Sequence, residues 1–456
     1  MNRFIIYFVI TTIPLLFAAV QPWAWSFYAT AFFTAFLVTF WKNSFATGRA
    51  SDKFFKISIF FFFFITLLQS LPLPRQILHY ISPYRYDVLV QAHALTDLTL
   101  SWQAVSYSSR DSIAWWAFLL SLFLFVSVLR KYCTSRYNLT CLIRILAFVA
   151  TLEALYGLIQ ALVPKIGVLW IDSAYPGCAC GTYINRNHFA GFIEILWPLL
   201  LGYTLSIGDD TGVTGFSKIF SSDRLNIQLL YTLAIIIMLL ALLFSKSRGG
   251  IIGGIIGIVS FLWLVRSGYR SHSIIFRLLI GVIISFLCIY SIKIGFGPIV
   301  ERFMTISGGD ARLDMWKDGL AILKDHPFGI GLGNTPKVLP VYQIAYTADL
   351  NAIHLHNDYL QLLVETGFPG FWAIVSGGFV FLWKSILRVK KLTSHQDAFR
   401  YFIAVGALSG LISIIVHSFF DFNLQIPANC FYFVMLIGIV YACLWRGSFD
   451  EKITVS

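Results

Sequence analysis

Two arginines are the residues of this sequence best suited to chemistry on an anionic substrate. Arg248 lies in a short hairpin, residues 245–250, between two apolar runs, and Arg312 lies in a helix-like run, residues 310–324. A guanidinium binds a phosphate through two parallel hydrogen bonds, and a charge held close to membrane hydrocarbon is costly and usually functional. We therefore expect Arg248 and Arg312 to neutralise a diphosphate without a metal ion. The structural alternatives are attraction of Arg248 to lipid headgroups and a surface salt bridge for Arg312.

A pair of histidines follows a glycine-rich turn in the same region. The turn, residues 327–333, has a glycine at every second position near its end, where backbone can approach a ligand closely. His354 and His356 follow, and Asn357 comes directly after them. Since an imidazole accepts a proton from a sugar hydroxyl near neutral pH, His356 is the predicted base and His354 the second candidate. Asn357 is expected to orient a sugar or the histidine.

Further polar groups stand at the ends of apolar runs. Arg186 and Asn187 open one such run, where a helix N-terminus favours an anion, although a polar helix cap is the alternative. Asp421 lies beside the last short loop, either paired with an arginine or solvated. Glu365 follows His356 by about two helical turns, to bind substrate or to anchor the helix. Cys178 and Cys180 lack the four ligands of a zinc site, so no metal and no cofactor are predicted.

The elements that position these groups are membrane helices. The chain has 456 residues, of which 58% are hydrophobic and 12% charged, against about 25% charged in soluble domains. Apolar runs of spanning length recur, so the fold class is an all-α polytopic membrane protein of about twelve transmembrane helices. The first run is expected to remain as a helix and not to be a cleaved signal peptide. The predicted spans are 4–20, 23–41, 54–72, 112–130, 140–163, 187–206, 226–244, 250–266, 273–293, 367–388, 399–418 and 429–446.

The helix-like run that carries Arg312 is predicted to be amphipathic and lies outside the spans. Asp310 can cap its start, and Pro327 is expected to end it. Helical spacing predicts one apolar face that consists of Leu313, Trp316, Leu320 and Leu323.

The basic residues orient the chain. Placing both ends in the cytoplasm puts 21 of the 34 lysines and arginines on the cytoplasmic side. This accounts for the net charge of +12 without nucleic acid. Residues 73–111 and 294–366 then lie on the outer face. The predicted organisation is nine spans with that outer segment in 1–293, an outer catalytic loop in 294–366, and three spans with a cytoplasmic tail in 367–456.

The ordered set of motifs resembles the O-antigen ligase and polymerase family of bacterial envelope enzymes. The resemblance is firmest over about residues 185–425. The motifs are Asn185-x-Asn187, Ser247-Arg-Gly249, Arg312-x-x-x-Trp316, Pro327-x-Gly-x-Gly-x-Gly333, His354-x-His-Asn357-x-Tyr-Leu360 and Glu365-x-Gly367-x-x-Gly370.

What the resemblance implies is a metal-independent, inverting glycosyltransferase of the C type in the bacterial inner membrane. Its site would face the periplasm, its donor would be a glycan on undecaprenyl diphosphate, and its acceptor a lipid A core sugar or another glycan. Two arginines and a histidine are essential in the ligases, and by motif these are Arg248, Arg312 and His356. They are expected to converge just outside the bilayer.

The residues leave several functions open. A polymerase that joins lipid-linked repeat units, or a relative that glycosylates proteins, would use the same donor chemistry. A transporter of lipid-linked glycans is the alternative from another class. Transporters bury charges at the membrane midplane, whereas here Glu153 and Glu194 are the main charged residues within the predicted spans. A ligase is the preferred prediction.

Overall fold

The computed structural model describes residues 2–42, 53–95, 102–207, 223–266, 281, 311–343, 352–392 and 394–445. Ten helices in this part of the chain are long and apolar enough to cross a membrane. The predicted fold class, an all-α polytopic membrane protein, is confirmed. The α-helices are α1 Asn2–Thr12, α2 Pro22–Trp41, α3 Lys53–Ser70, α4 Arg75–Ile81, α5 Pro83–Ala94, α6 Ser109–Tyr132, α7 Arg136–Leu162, α8 Arg186–Ile207, α9 Asp223–Phe244, α10 Arg248–Arg266, α11 Ala311–Asp325, α12 Thr335–Tyr342, α13 Asp358–Lys391, α14 Ser394–His417 and α15 Pro427–Leu444.

The ten long helices correspond to ten of the twelve predicted spans. The predicted span 273–293 lies outside the described residues, apart from Gly281. The predicted span 4–20 is wrong in extent, because α1 ends at Thr12. Pro14 follows, and proline disfavours helical backbone in the residue before it. A short 3₁₀ turn, Phe17–Ala19, then leads to α2.

Helix α13 contains a break that separates its first turns from the part that spans. Gly367 has φ +66°, which is left-handed backbone, and Pro369 follows it. A Cβ atom on Gly367 would lie 2.3 Å from the carbonyl carbon of Phe328, so a side chain does not fit there. The break lies at residue 367, where the sequence predicted the start of a span.

The apolar face predicted for α11 is wrong in part. Leu313 and Leu320 are 50% and 57% exposed, whereas Met315 and Ile322 are buried with Leu323. The spacing of the leucines predicted the helix correctly. It did not predict which face of the helix packs against the rest of the protein. Asp310, the predicted cap, lies outside the described residues.

The chain divides into two compact units. The first unit is Met1–Arg136, Asp314–Ser385 and Ile415–Ser456, and the second is Tyr137–Leu313 and Ile386–Ile414. The histidine segment and Asp421 therefore belong to the first unit. Arg186, Arg248 and Arg312 belong to the second.

Each unit has its own core. In the first unit, the ring of Phe32 in α2 lies 4.8 Å from that of Phe125 in α6 and 5.4 Å from that of Phe431 in α15. In the second unit, α8 and α14 approach closely, since a Cβ atom on Gly202 would lie 2.2 Å from the carbonyl oxygen of Phe402. Close packing of this kind holds membrane helices together where lipid supplies no hydrophobic driving force.

Candidate active site

The glycine-rich loop before α12 packs tightly against other parts of the first unit. Gly329, Gly331 and Gly333 have φ of +87°, +90° and +71°, a region that favours glycine. A Cβ atom on Gly331 would lie 2.4 Å from Oγ of Ser106, and one on Gly333 2.2 Å from Cδ1 of Trp115. The close approach predicted for this loop is therefore made with the protein's own side chains.

Glu365 fastens this loop to α13. Its side chain is buried, and its carboxylate accepts hydrogen bonds from the backbone N–H of Gly333 at 2.8 Å and the hydroxyl of Thr335 at 2.7 Å. Gln361 donates a third at 3.1 Å. Because both carboxylate oxygens accept hydrogen bonds inside the protein, these contacts support the alternative, an anchor of the helix. The substrate-binding role stays a prediction.

Gln361 links Glu365 to the histidine segment. Its Nε2 lies 3.1 Å and its Oε1 3.2 Å from Nδ1 of His354, and its Oε1 also accepts from the backbone N–H of Leu355 at 3.4 Å. The glutamine is buried. Gln361 was not among the predicted site residues, although its place four residues before Glu365 on a helix puts the two side chains on one face.

Asn357 caps α13. Its Oδ1 accepts from the backbone N–H groups of Tyr359 and Leu360, both at 3.0 Å. This is the helix-cap geometry in which a side-chain oxygen satisfies free N–H groups at a helix start. The cap supports the interpretation in which Asn357 orients the histidine segment. A contact of Asn357 with a sugar stays a prediction.

The start of α13 is also bound to the loop that carries Asp421. The backbone N–H of Asp358 donates to the carbonyl oxygens of Ser418 at 2.9 Å and Asp421 at 3.1 Å. The buried side chain of Asp358 accepts from the backbone N–H of Leu424 at 3.0 Å. Residues that are remote in sequence are thus held against the turn that contains His356.

His356 and Asp421 form a histidine–carboxylate pair. Nδ1 of His356 lies 3.3 Å from Oδ1 of Asp421, an ion-pair distance without the alignment of a hydrogen bond. The carboxylate is 1% exposed and the imidazole 27% exposed. The solvated alternative for Asp421 is therefore wrong. His356 has φ +48°, and strained left-handed backbone of this kind in a residue other than glycine is concentrated at functional sites.

Phe422 distinguishes the two histidines. Its ring stacks on that of His354, with the centroids 4.2 Å apart, and stands at 80° to the ring of His356 at 4.7 Å. His354 is thus held between Phe422 and Gln361, whereas His356 has a buried carboxylate on one side and is partly exposed. This asymmetry favours His356 as the base.

Arg248 opens α10 directly after a tight turn. Lys246 in that turn has φ +54°, and the hydroxyl of Ser247 accepts from the backbone N–H of Gly250 at 3.2 Å. A Cβ atom on Gly250 would lie 2.5 Å from Cβ of Ala190, so this glycine lets α10 approach α8. Arg312 lies in the first turn of α11, and both arginines are partly exposed.

Arg186 already has partners within the second unit. Its Nη1 donates to the sulfur of Cys178 at 3.3 Å, and its guanidinium lies 5.1 Å from the ring of Tyr175. The backbone N–H of Asn187 donates to Oδ1 of Asn185 at 2.8 Å. These contacts are those of a polar helix cap, which was the structural alternative for this segment. The anion-binding role of Arg186 and Asn187 stays a prediction.

Residues 233–375 match the family model described as O-antigen ligase. Over these residues the chain is similar to the O-antigen ligase family, and we call residues 233–375 the O-antigen ligase domain. An uncharacterized protein of Haemophilus influenzae is 27% identical to this chain, over 45% of the chain and 55% of the relative. The chain thus matches about half the length of that protein. The resemblance of the motifs to the O-antigen ligase and polymerase family is confirmed.

The O-antigen ligase domain includes Arg248, Arg312, His354, His356 and Glu365. Asp421, which pairs with His356, lies beyond the matched residues, as does Arg186. Ten helices of spanning length, together with the similarity to this family over residues 233–375, support a multi-pass membrane protein.

Proposed function

We propose that this protein is a membrane glycosyltransferase of the O-antigen ligase type. It moves a glycan from undecaprenyl diphosphate to a hydroxyl of a lipid A core sugar, on the periplasmic face of the bacterial inner membrane. The reaction inverts the anomeric carbon and uses no metal ion. The observation that carries the proposal is the pair of His356 and Asp421, of which the first lies inside the O-antigen ligase domain.

In this mechanism His356 is the general base. Its Nε2 takes the proton of the acceptor hydroxyl while that oxygen forms a bond to the anomeric carbon of the donor. The bond from that carbon to the diphosphate oxygen breaks, and the diphosphate leaves with the electron pair. The buried carboxylate of Asp421 faces Nδ1, so it stabilises the imidazolium that forms. A positioned base of this kind contributes about 100- to 10,000-fold to the rate.

Arg248 and Arg312 bind the diphosphate of the donor in this proposal. Negative charge grows on the leaving diphosphate in the transition state, and fixed guanidinium groups that face it lower the barrier. The prenyl chain of the donor lies among the membrane helices and lipids. Arg186 and Asn187 contact the anionic or polar part of the donor. His354, Asn357 and Glu365 hold the segment that carries His356.

The contacts of Glu153 argue against the transporter alternative. Its buried carboxylate accepts from the backbone N–H and the hydroxyl of Thr182, each at 2.8 Å. This carboxylate therefore joins α7 to the loop before α8. If Glu153 carried an ion or a solute through the membrane, its two hydrogen bonds to Thr182 would have to break.

The test of the proposal is glycan transfer by single variants. We expect Arg248→Ala, Arg312→Ala and His356→Ala each to lower the rate about 100-fold or more, with normal amounts of protein in the membrane. Arg75→Ala, at the exposed start of α4, is the control and should transfer at the normal rate. A normal rate in His356→Ala would refute the mechanism, and a normal rate in either arginine variant would remove that residue from it.

A deletion strain separates ligase from polymerase. Loss of all polymer on lipid A, with polymer still on its carrier, means a ligase. Single repeat units on lipid A mean a polymerase. Normal polymer on lipid A with a missing glycan on envelope proteins would instead mean a protein glycosyltransferase. The ligase outcome is expected, since the matching family model is described as O-antigen ligase.

A further inference from the structure

A second polar cluster lies in the first unit, apart from His356 and Asp421. It joins α5 and the segment before α6 to the ends of α11 and α12. Hydrogen bonds and ring contacts connect its members. We name it the Arg85 cluster; its members are Tyr84, Arg85, Tyr107, Asp325, His326 and Tyr342.

Arg85 is a half-buried cation in this cluster. Its guanidinium carbon lies 4.1 Å from the centroid of the Tyr107 ring, a cation–π contact. Burial lowers the pKa of Arg85, and in the described part of the chain its Nε has no hydrogen-bond partner and no carboxylate forms an ion pair with it. Removing a cation from water without a counter-ion is unfavourable. An anion from outside the described residues would offset that cost.

His326 presents a second incomplete group. Its side chain is 1% exposed. Its Nε2 lies 3.1 Å from the hydroxyl of Tyr107 and 3.4 Å from that of Tyr342, while its buried Nδ1 has no partner among the described residues. Burial lowers the pKa of His326 to about 4, so the ring is neutral near pH 7. A buried polar atom without a partner is unfavourable, and a ligand could supply the missing hydrogen bond.

The remaining members have the chemistry of a saccharide site. Tyr84 is 40% exposed, so it is open to a ligand, and its ring lies 5.2 Å from that of His326. Asp325 accepts from the hydroxyl of Tyr342 at 2.8 Å through Oδ2. Its Oδ1 is the natural acceptor for a sugar hydroxyl. A cation, a carboxylate and an exposed aromatic ring together suit a sugar that has hydroxyls and one acidic group.

The position of the cluster relates it to the histidine segment. Gly319 of α11 packs against Leu355, beside His356, because a Cβ atom there would lie 2.9 Å from Cδ1 of Leu355. Asp325 follows Gly319 on the same helix, about 9 Å along the axis. Gln343, next to Tyr342, donates to the carbonyl oxygen of Ala352 at 2.8 Å. The helix that ends at the cluster thus packs against the histidine segment within the first unit.

We propose that the Arg85 cluster binds a sugar of the acceptor glycan that carries a carboxylate or a phosphate. The acidic group meets Arg85, the hydroxyls meet Asp325 and His326, and the ring lies against Tyr84. This inference rests on the proposed glycosyltransferase function only where it assigns the bound sugar to the acceptor glycan. The binding chemistry itself rests on the cluster.

Binding is measured on the purified full chain in lipid nanodiscs by saturation-transfer NMR. The probes are galacturonate, glucose 6-phosphate and glucose. We expect the wild type to bind one or both acidic sugars and to bind glucose at least tenfold more weakly. The stronger of the two acidic probes identifies the group as carboxylate or phosphate. Arg85→Ala should weaken acidic-sugar binding about tenfold or more, and Arg75→Ala should not weaken it.

Two further variants keep the test decisive. Arg85→Lys retains the charge and covers the case in which Arg85→Ala does not fold. Its affinity for the acidic sugars should be higher than that of an Arg85→Gln protein with a normal melting temperature. Equal binding by folded Arg85→Gln and the wild type overturns the proposal. So does acetate or inorganic phosphate binding as tightly as the acidic sugars, which means an adventitious ion only.

His356→Ala separates this inference from the proposed function. It should bind the acidic sugars normally while it transfers no glycan. Arg85-dependent binding by a wild-type protein that transfers no glycan would refute the proposed function and retain the subsite. Normal glycan transfer without any acidic-sugar binding would refute the subsite and retain the function.

Discussion

Nδ1 of His356 lies 3.3 Å from Oδ1 of Asp421, and the carboxylate is buried while the imidazole is partly exposed. A buried carboxylate beside one ring nitrogen leaves the other nitrogen to exchange a proton with a substrate. The charge that arises on the ring is then compensated where it forms. The pairing with Asp421 supports His356 as the base. The sequence pattern around His356 did not reveal this pairing.

Asp421→Asn should slow glycan transfer without a comparable loss of substrate binding. An amide keeps the shape of the carboxylate but not the charge that stabilises the imidazolium of His356. We expect kcat to fall about 100-fold or more and KM to change little. The measurement is steady-state transfer by purified protein, with Asp314→Asn, in a pair with the exposed Lys317, as the control. A kcat equal to that of the wild type would exclude Asp421 from the mechanism.

Parallel variants of the two histidines decide which one is the base. His354→Phe keeps a ring that can stack on Phe422, so the segment should hold its shape and transfer should fall by about tenfold or less. His356→Phe removes the base, and transfer should fall about 100-fold or more. Both rates are measured in the same membranes at equal protein amounts. The reverse order would assign the base to His354.

Gln361→Leu tests whether the link from Glu365 to the histidine segment matters for catalysis. The change removes the bonds to His354 and Leu355 and should lower both the melting temperature and kcat, with KM nearly unchanged. Gln228→Leu is the matched control, because Gln228 is another buried glutamine that donates to the carbonyl oxygen of Thr204 at 3.1 Å. We expect it to lower the melting temperature only. Equal kcat values in the two variants would make Gln361 a stability residue.

Gly331→Ala should destabilise the protein strongly. Its backbone has φ +90°, and the added methyl would lie 2.4 Å from Oγ of Ser106. Strain of that kind costs about 1–3 kcal/mol. Gly378→Ala is the control, because nothing lies within 4 Å of its added methyl, and alanine in a helix is favoured over glycine by about 1 kcal/mol. Thermal unfolding of both variants in detergent checks the prediction, which equal melting temperatures would contradict.

Acid should destabilise the protein through His326. Burial lowers the pKa of His326 from 6.5 to about 4. Between these values the unfolded chain binds a proton that the folded chain does not, so stability falls as pH falls from 6.5 to 4 and then levels off. A shift of this size corresponds to about 3 kcal/mol.

The check is thermal unfolding at several pH values between 7.5 and 4, for the wild type and for His326→Gln. The variant keeps Tyr107, Tyr342, Asp325 and Arg85, so only the titration of residue 326 is lost. Its melting temperature should therefore depend less on pH than that of the wild type. If the melting temperatures of the two proteins depend on pH in the same way, His326 is not the group responsible for the pH dependence.

The sequence by itself determined the elements of this protein. Ten long apolar runs became helices of spanning length, because burial in hydrocarbon requires about 20 apolar residues and internal hydrogen bonds. Helix α11 ends at Asp325, two residues before Pro327, and the glycines that follow it have positive φ. Such features depend on a few neighbouring residues, so they are visible in the chain.

Tertiary structure alone decided how the polar groups pair. Asp421 meets His356, Glu365 turns inward to the glycine loop, and Asn357 caps its own helix. The buried side of α11 faces Leu355 and not the direction of its exposed leucines. Each of these depends on which helices pack together, since contact between residues distant in sequence follows from packing and not from local periodicity.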